Sequence, residues 1–243
     1  MDVAWEDFGW ERLGHSAGRR RLPGWDATAG LVAGAEGVLL YDTGSTLREG
    51  VELRRQAEAL LGRRVTHIAL SHPHFDHVLG TAAFAGARVY GAVGLGGLLR
   101  GGAESLYASA VRHGVAEDEA ARSAETLVAP GHEVSGEWAL DLGGGRRVLL
   151  ANVGPGHSGH DLAVLVPGSD GGPPVVFCGD LVEESGEPQA GDDAVPSRWP
   201  AALDRLLELG GEDALYVPGH GAVVDAAFVR AQRTELAERF AVA

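Results

Sequence analysis

Lysine is absent from this chain of 243 residues; all 20 of its basic residues are arginine. Schiff-base chemistry and a Walker-type phosphate loop both need a lysine amine and are excluded. Cysteine is nearly absent. Cys178 stands alone, so there is no intrachain disulfide and no zinc site built on two or more thiolates. No apolar run approaches the ~20 residues needed to cross a bilayer. The stretch MDVAWEDFGWERLG has neither a basic flank nor an apolar centre. That argues against a signal peptide and for a reducing, cytoplasmic setting. Positive charge is scarce too. Against 34 acidic residues the arginines leave a formal net charge of -14. This disfavours a nucleic-acid backbone or an anionic membrane as the main partner.

What is present is an ordinary globular composition, 45% hydrophobic and 22% charged. A chain of this length buries one large core, and no linker, repeat or low-complexity block divides it. Residues 1–26 read as irregular, with Trp5, Trp10 and Trp25 as packing aromatics and an arginine cluster at Arg19, Arg20 and Arg21. Apolar runs at 29–33 and 38–41 flank a Gly-containing connection and predict a β-hairpin. Ser45 or Thr46 caps a helix to about Leu61, with Val51, Leu53, Ala57, Leu60 and Leu61 inward and Gly62 just past its end. A strand over 65–70 and another within 84–90 follow. The Ala-rich helical stretch 91–125 has weak apolar periodicity, which predicts a cap over the body. The second half is β-rich, with strands over 138–142, 146–153, 162–166, 175–178 and 215–217. Gly143-Gly144-Gly145 joins the first pair. Helices are expected over 200–209 and 225–240. The reading is one domain over 1–243, built from two similar halves whose sheets are covered by helices.

The chemistry concentrates in histidine. Of ten His, three fall in the window 72–77, which reads His72-Pro73-His74-Phe75-Asp76-His77. A random chain of this composition shows His-x-His-x-Asp-His about one time in a thousand. Side chains alternate along an extended segment, so His72 and His74 point the same way. If a helix starts near Phe75, Asp76 and His77 project from its first turn. Four ligand-type side chains then converge at the end of a strand, a donor set that suits zinc, iron or manganese. Three further places put a His or Asp at a strand end beside glycine: the loop Gly154 to Asp161 with His157 and His160, Gly179-Asp180, and Pro218-Gly219-His220-Gly221. One such residue alone reads as a cap or a surface group; the set of four segments carries the reading. His67 reads as a sheet-face residue, and His15, His113 and His132 as solvated. Cys178 lies two residues before Asp180 on the same side of a regular strand, and reads as a small core residue.

From Asp42 to His220 the motifs stand in the order found in the metallo-β-lactamase superfamily, which the chain resembles as a fold family. Asp42 matches that family's strand-end Asp; His72, His74, Asp76 and His77 match its second motif. His157, Asp180 and His220 match its third His, bridging Asp and last His. The fold this implies is α+β, a four-layer αββα sandwich. The site it implies holds two Zn2+, with Fe2+ or mixed metals as the alternative. His72, His74 and His157 would bind the first cation, Asp76, His77 and His220 the second, and Asp180 would bridge. Two cations, two carboxylates and a hydroxide sum to about +1, an electropositive pocket in an acidic chain. The implied mechanism is attack on a thioester, ester or lactone carbonyl by a metal-bridging hydroxide, with Asp76 or Asp180 moving the proton. Asp42 would orient a ligand, and His160 would orient a ligand or touch substrate.

Departures from subgroup patterns narrow the choice. Asp180 stands where one class of zinc β-lactamases has Cys. The acidic charge disfavours the nucleases with a basic exosite. His74 stands where flavodiiron proteins have Glu. The 23 residues after His220 are too few for the glutathione-binding domain of glyoxalase II, whose lysine is also missing. Glu183 stands where homoserine-lactone lactonases have Tyr. The alternative activity is a mononuclear iron persulfide dioxygenase with ligands His72, His157 and Asp180; the Pro218–Gly221 segment favours the dinuclear hydrolase. The expected partner is a small acyl substrate, with a homodimer left open, and neither nucleic acid nor membrane. Tyr107 on the cap, with Leu106, Arg112 and His113, and Arg198 and Trp199 in the loop 183–199, are the expected substrate contacts.

Overall fold

Alternation along the strands decides how the layers stack. Val38 and Leu40 turn into one buried cluster while Leu39 and Tyr41 turn into another. Val175 and Phe177 join that second cluster, and Val176 and Cys178 enter a third. Three cores between four layers follow from this period of two.

The computed structural model describes residues 4–169 and 171–242; Met1, Asp2 and Val3 of the acidic N-terminal stretch lie outside the described residues. The first half contains β1 (Glu11–Arg12), β2 (Ala17–Arg21), β3 (Thr28–Ala33), β4 (Val38–Tyr41), α1 (Leu47–Leu61), β5 (His67–Ala69), α2 (Phe75–Val78), β6 (Arg88–Ala92), α3 (Leu95–Gly101), α4 (Ala103–Arg112), α5 (Glu117–Glu125) and β7 (His132–Val134). The second contains β8 (Glu137–Asp141), β9 (Arg147–Asn152), β10 (Leu162–Val166), β11 (Val175–Glu183), α6 (Trp199–Gly210), β12 (Leu215–His220) and α7 (Ala226–Arg239). One sheet runs in the order β1-β2-β3-β4-β5-β6-β7 and the other β12-β11-β10-β9-β8. The first core lies under α1 and α3 to α5, the second between the sheets, and the third under α6 and α7. This is the αββα sandwich.

The hairpin of β3 and β4 forms as the sequence predicts, with Leu31 opposite Leu40. Thr46 caps α1 by accepting from the Glu49 amide, and Gly62 closes it. Within 4–26 the described chain is not irregular throughout, since it contributes β1 and β2. The arginine cluster lies in β2, where Arg19 is buried and reaches Glu11 and the Gly221 carbonyl. β7 escaped the sequence reading because it is three residues long, polar and at a sheet edge. Its His132 is half-buried rather than fully solvated, and stacks on Tyr90 at 4.8 Å. The helices of 91–125 bury Leu95, Leu99, Leu106, Ala110 and Ala120 in the same core as Leu53 and Ile68. They form part of the outer helical layer, and α4 ends beside the His72–His77 motif, where His113 stacks on Phe75 at 5.2 Å.

Candidate metal centre

The motif at 72–77 leaves β5 and enters α2. His74 keeps extended backbone angles, φ -93° and ψ 150°, and the helix begins at Phe75. Asp76 and His77 therefore stand in its only turn. From the other sheet Asp180 lies within β11, His220 ends β12, and His157 sits in the loop before β10. The two halves meet at these points. One ligand atom each from His72, His74, His157 and Asp180 fall within 4.8 Å of one another, as do those of Asp76, His77 and His220. Asp180 lies between the groups. Its carboxylate is 3.6 Å from His72 Nε2, 3.4 Å from His157 Nε2, 3.2 Å from His77 Nε2 and 3.4 Å from His220 Nε2. Asp76 completes the second group at 3.4 Å from His220 Nε2.

Each imidazole is held by its outer nitrogen. Nδ1 of His72 meets the Ser71 hydroxyl at 2.8 Å, and that of His77 meets Asp42 Oδ2 at 2.9 Å. Nδ1 of His157 meets the Gln189 carbonyl at 3.0 Å, and that of His220 the Trp25 carbonyl at 2.7 Å. His74 is turned the other way: Nε2 faces Asp193 at 3.1 Å and Nδ1 faces inward, 3.0 Å from His157 Nε2. Such outer partners fix tautomer and ring orientation, leaving the inner nitrogen free to ligate.

Buried as it is, this cluster is electrostatically strained. Burial would push Asp180 up, but His77, His72, His220 and His157 hold it well below the ordinary carboxylate range. Burial would push His77 down, but Asp180, Asp76 and Asp42 hold it well above the ordinary imidazole range. His220 is raised to about 11, with Asp180 and Asp76 overriding burial, while burial lowers His157 to about 4. Inner atoms remain unanswered: His72 Nε2, His77 Nε2 and Asp180 Oδ1 are buried with no hydrogen-bond partner. Unpaired buried donors and acceptors cost free energy, and divalent cations would answer them. The donor set of five imidazoles and two carboxylates therefore fits such cations.

The family model of the metallo-beta-lactamase superfamily matches residues 22–220. The chain belongs to that superfamily. It is 27% identical over 201 residues to metallo-beta-lactamase domain-containing protein 1 of Xenopus laevis, covering 81% of this chain and 71% of that protein. Its fold is similar to that of a metallo-beta-lactamase from Pontibacter korlensis, with a TM-score of 0.71 and 20% identity, covering 93% of this chain and 97% of that one.

Around the superfamily motifs, other expected residues fall in different places. Asp42 accepts from the Ser71 amide at 2.7 Å as well as from His77, so it fixes both the strand end and the His77 ring. His160 Nδ1 bonds the Val93 carbonyl at 2.9 Å and ties the loop before α3 to the loop of His157. Trp199 has no surface to offer a substrate. It is fully buried, donates to the Leu181 carbonyl at 2.9 Å, and backs the His157 ring at 5.4 Å. Arg198 is exposed, and Tyr107 is half-buried against the first core. Cys178 faces the third core by the same alternation as Val176, and the register shift of β11 between Phe177 and Gly179 separates it from Asp180; burial pushes its thiol well up.

Several functional residues escaped the sequence reading. Asp161 accepts from the Gly156 and Ser158 amides and the Ser158 hydroxyl, and so shapes the loop that carries His157. The Ser158–Asp161 spacing was its signal. Asp193, Gln189 and Trp25 gave none, since distant loops or backbone carbonyls supply those contacts. Glu183 forms a third group with Asp180 and His220.

Proposed function

We propose that the protein is a dinuclear zinc-dependent hydrolase that cleaves a thioester, ester or lactone carbonyl. The observation that carries this reading is two ligand groups flanking one carboxylate: His72, His74 and His157 on one side of Asp180, and Asp76, His77 and His220 on the other. A mononuclear iron centre on His72, His157 and Asp180 would leave the second group without a role. Bound cations would supply a water acidified to near neutrality and polarisation of the substrate carbonyl. The chain's own residues do the rest. Ser71, Asp42, Gln189, Trp25 and Asp193 hold the five rings in one orientation. Asp76, the carboxylate of the second group, is the residue assigned to pass a proton to the leaving group. His157 is buried and backed by the fully buried Trp199, which holds that side of the cluster rigid. Among the described residues, no helix is long and apolar enough to cross a membrane.

Elemental analysis of protein purified without added metal tests the reading. About two zinc per chain, together with turnover in a panel of thioesters, esters and lactones, is the expected result. One iron per chain with oxygen uptake on a persulfide would overturn it.

A further inference from the structure

Glu183 ends β11 opposite His220, yet a regular strand would not aim it at Asp180. Residues three apart on a strand face opposite sides. The register of β11 against β12 removes that obstacle. Gly179 pairs with Pro218 and Glu183 with His220, so four residues of β11 span the interval of two on β12. Such a bulge re-aims side chains. The buried Gln232 of α7 grips the bulge, accepting from the Glu183 amide at 3.0 Å and donating to the Leu181 carbonyl at 2.8 Å. As a result, ligand atoms of Asp180, Glu183 and His220 all lie within 4.8 Å of one another. Glu183 is also built like the established members of the cluster. One of its oxygens, Oε1, is held by the Ser185 hydroxyl at 3.0 Å, just as each imidazole is held by its outer nitrogen. Asp180, a member of this group, has a buried oxygen, Oδ1, with no hydrogen-bond partner among the described residues.

We propose that Glu183 is a third carboxylate ligand of the second cation position, and that it tilts this position from zinc towards a harder cation such as Mn2+. The inference rests on the dinuclear reading above and deepens it. The first position, with His72, His74, His157 and Asp180, is rich in nitrogen. The second, with Asp76, Asp180 and Glu183 beside His77 and His220, is rich in oxygen. Imidazole suits zinc, whereas carboxylate suits manganese and its like. A third carboxylate also cancels the positive charge that two cations, two carboxylates and a hydroxide would leave, so the centre becomes neutral. The two positions of one site thereby prefer different metals.

The test uses the full chain, stripped by a chelator and reloaded with one metal at a time. Mn2+ binding is followed by loss of the free-ion EPR signal, Zn2+ by competition with a chromophoric chelator, and Co2+ by its visible absorption. In Glu183→Gln, the second Mn2+ should weaken about tenfold or more, with the first cation unchanged. The second Co2+ should absorb more strongly as its coordination number drops. Ser185 is exposed, so Ser185→Ala leaves the fold intact and should weaken the second Mn2+ in the same direction by a smaller factor. Should Glu183→Gln fail to fold by circular dichroism, Ser185→Ala decides. Two cations per chain with unchanged Mn2+ affinity and cobalt spectrum overturn the role of Glu183 alone. One cation per wild-type chain overturns the dinuclear reading together with it.

Discussion

Asp42 sits at φ 60°, a conformation that residues other than glycine seldom adopt. That twist, just past the end of β4, aims one carboxylate at two donors, the Ser71 amide and His77 Nδ1. Both bonds are buried, so each is costly to lose. Asp42→Asn keeps the shape but replaces one acceptor oxygen by an amide that cannot accept. We expect unchanged circular dichroism and a 10- to 100-fold loss of affinity for the second cation, read by chelator competition; equal affinity would remove Asp42 from the support of the site. The residue types at 72–77 were legible as candidate ligands because their spacing alone puts four donors at one strand end. The partners of their outer nitrogens were not. Trp25 and Gln189 act through backbone carbonyls, which every residue possesses.

Among the elements, β11 and β12 set the tolerance of the site. They run parallel, and they approach so closely that a Cβ on Gly219 would stand 1.8 Å from Asp180 Oδ1 and 2.8 Å from the Gly179 carbonyl carbon. Gly219→Ala must therefore move Asp180 or the strand itself. The expected outcome is a folded protein that melts at the same temperature with and without added zinc, whereas the wild type gains stability from it. A zinc-dependent rise in Gly219→Ala equal to that of the wild type would refute this. The loop of 184–198 plays the complementary part on the other side. It brings Gln189 to His157 and Asp193 to His74, and Arg239 at the end of α7 anchors it through the Pro188 carbonyl and Glu187. The polar, Pro-containing sequence of this loop marks it as a loop, but not as a support of two ligands.

At the scale of the whole molecule, the cluster joins the halves. Its residues come from α2 and the end of β5 in one sheet and from β11, β12 and the loop before β10 in the other. Each cation that such groups bind would stabilise the folded chain by mass action, about 2.7 kcal/mol at a hundredfold excess over its Kd. For a chain of this size that corresponds to a rise in Tm of about 5–10 °C. Chelation should reverse it in one transition seen equally by near-UV and far-UV circular dichroism; separate transitions would mean that the halves melt independently. Binding must also displace the protons that the raised His77 and His220 hold. His220 is raised to about 11 and His77 well above the ordinary imidazole range, so metal affinity should strengthen as pH rises from 6 to 9. An affinity flat across that range would contradict the protonated cluster.

The amino-acid sequence by itself determined the period-two strands, the capped helix α1, the His-x-His-x-Asp-His turn and the glycine-flanked His157, Asp180 and His220. These follow from local rules of alternation, capping and glycine placement, which act over a few residues. Tertiary structure alone decided the rest. It buried Trp199 behind His157, packed the helices of 91–125 into the outer layer, and bulged β11 so that Glu183 meets Asp180. Each of those outcomes depends on which distant segment lies opposite, and no local pattern encodes that contact.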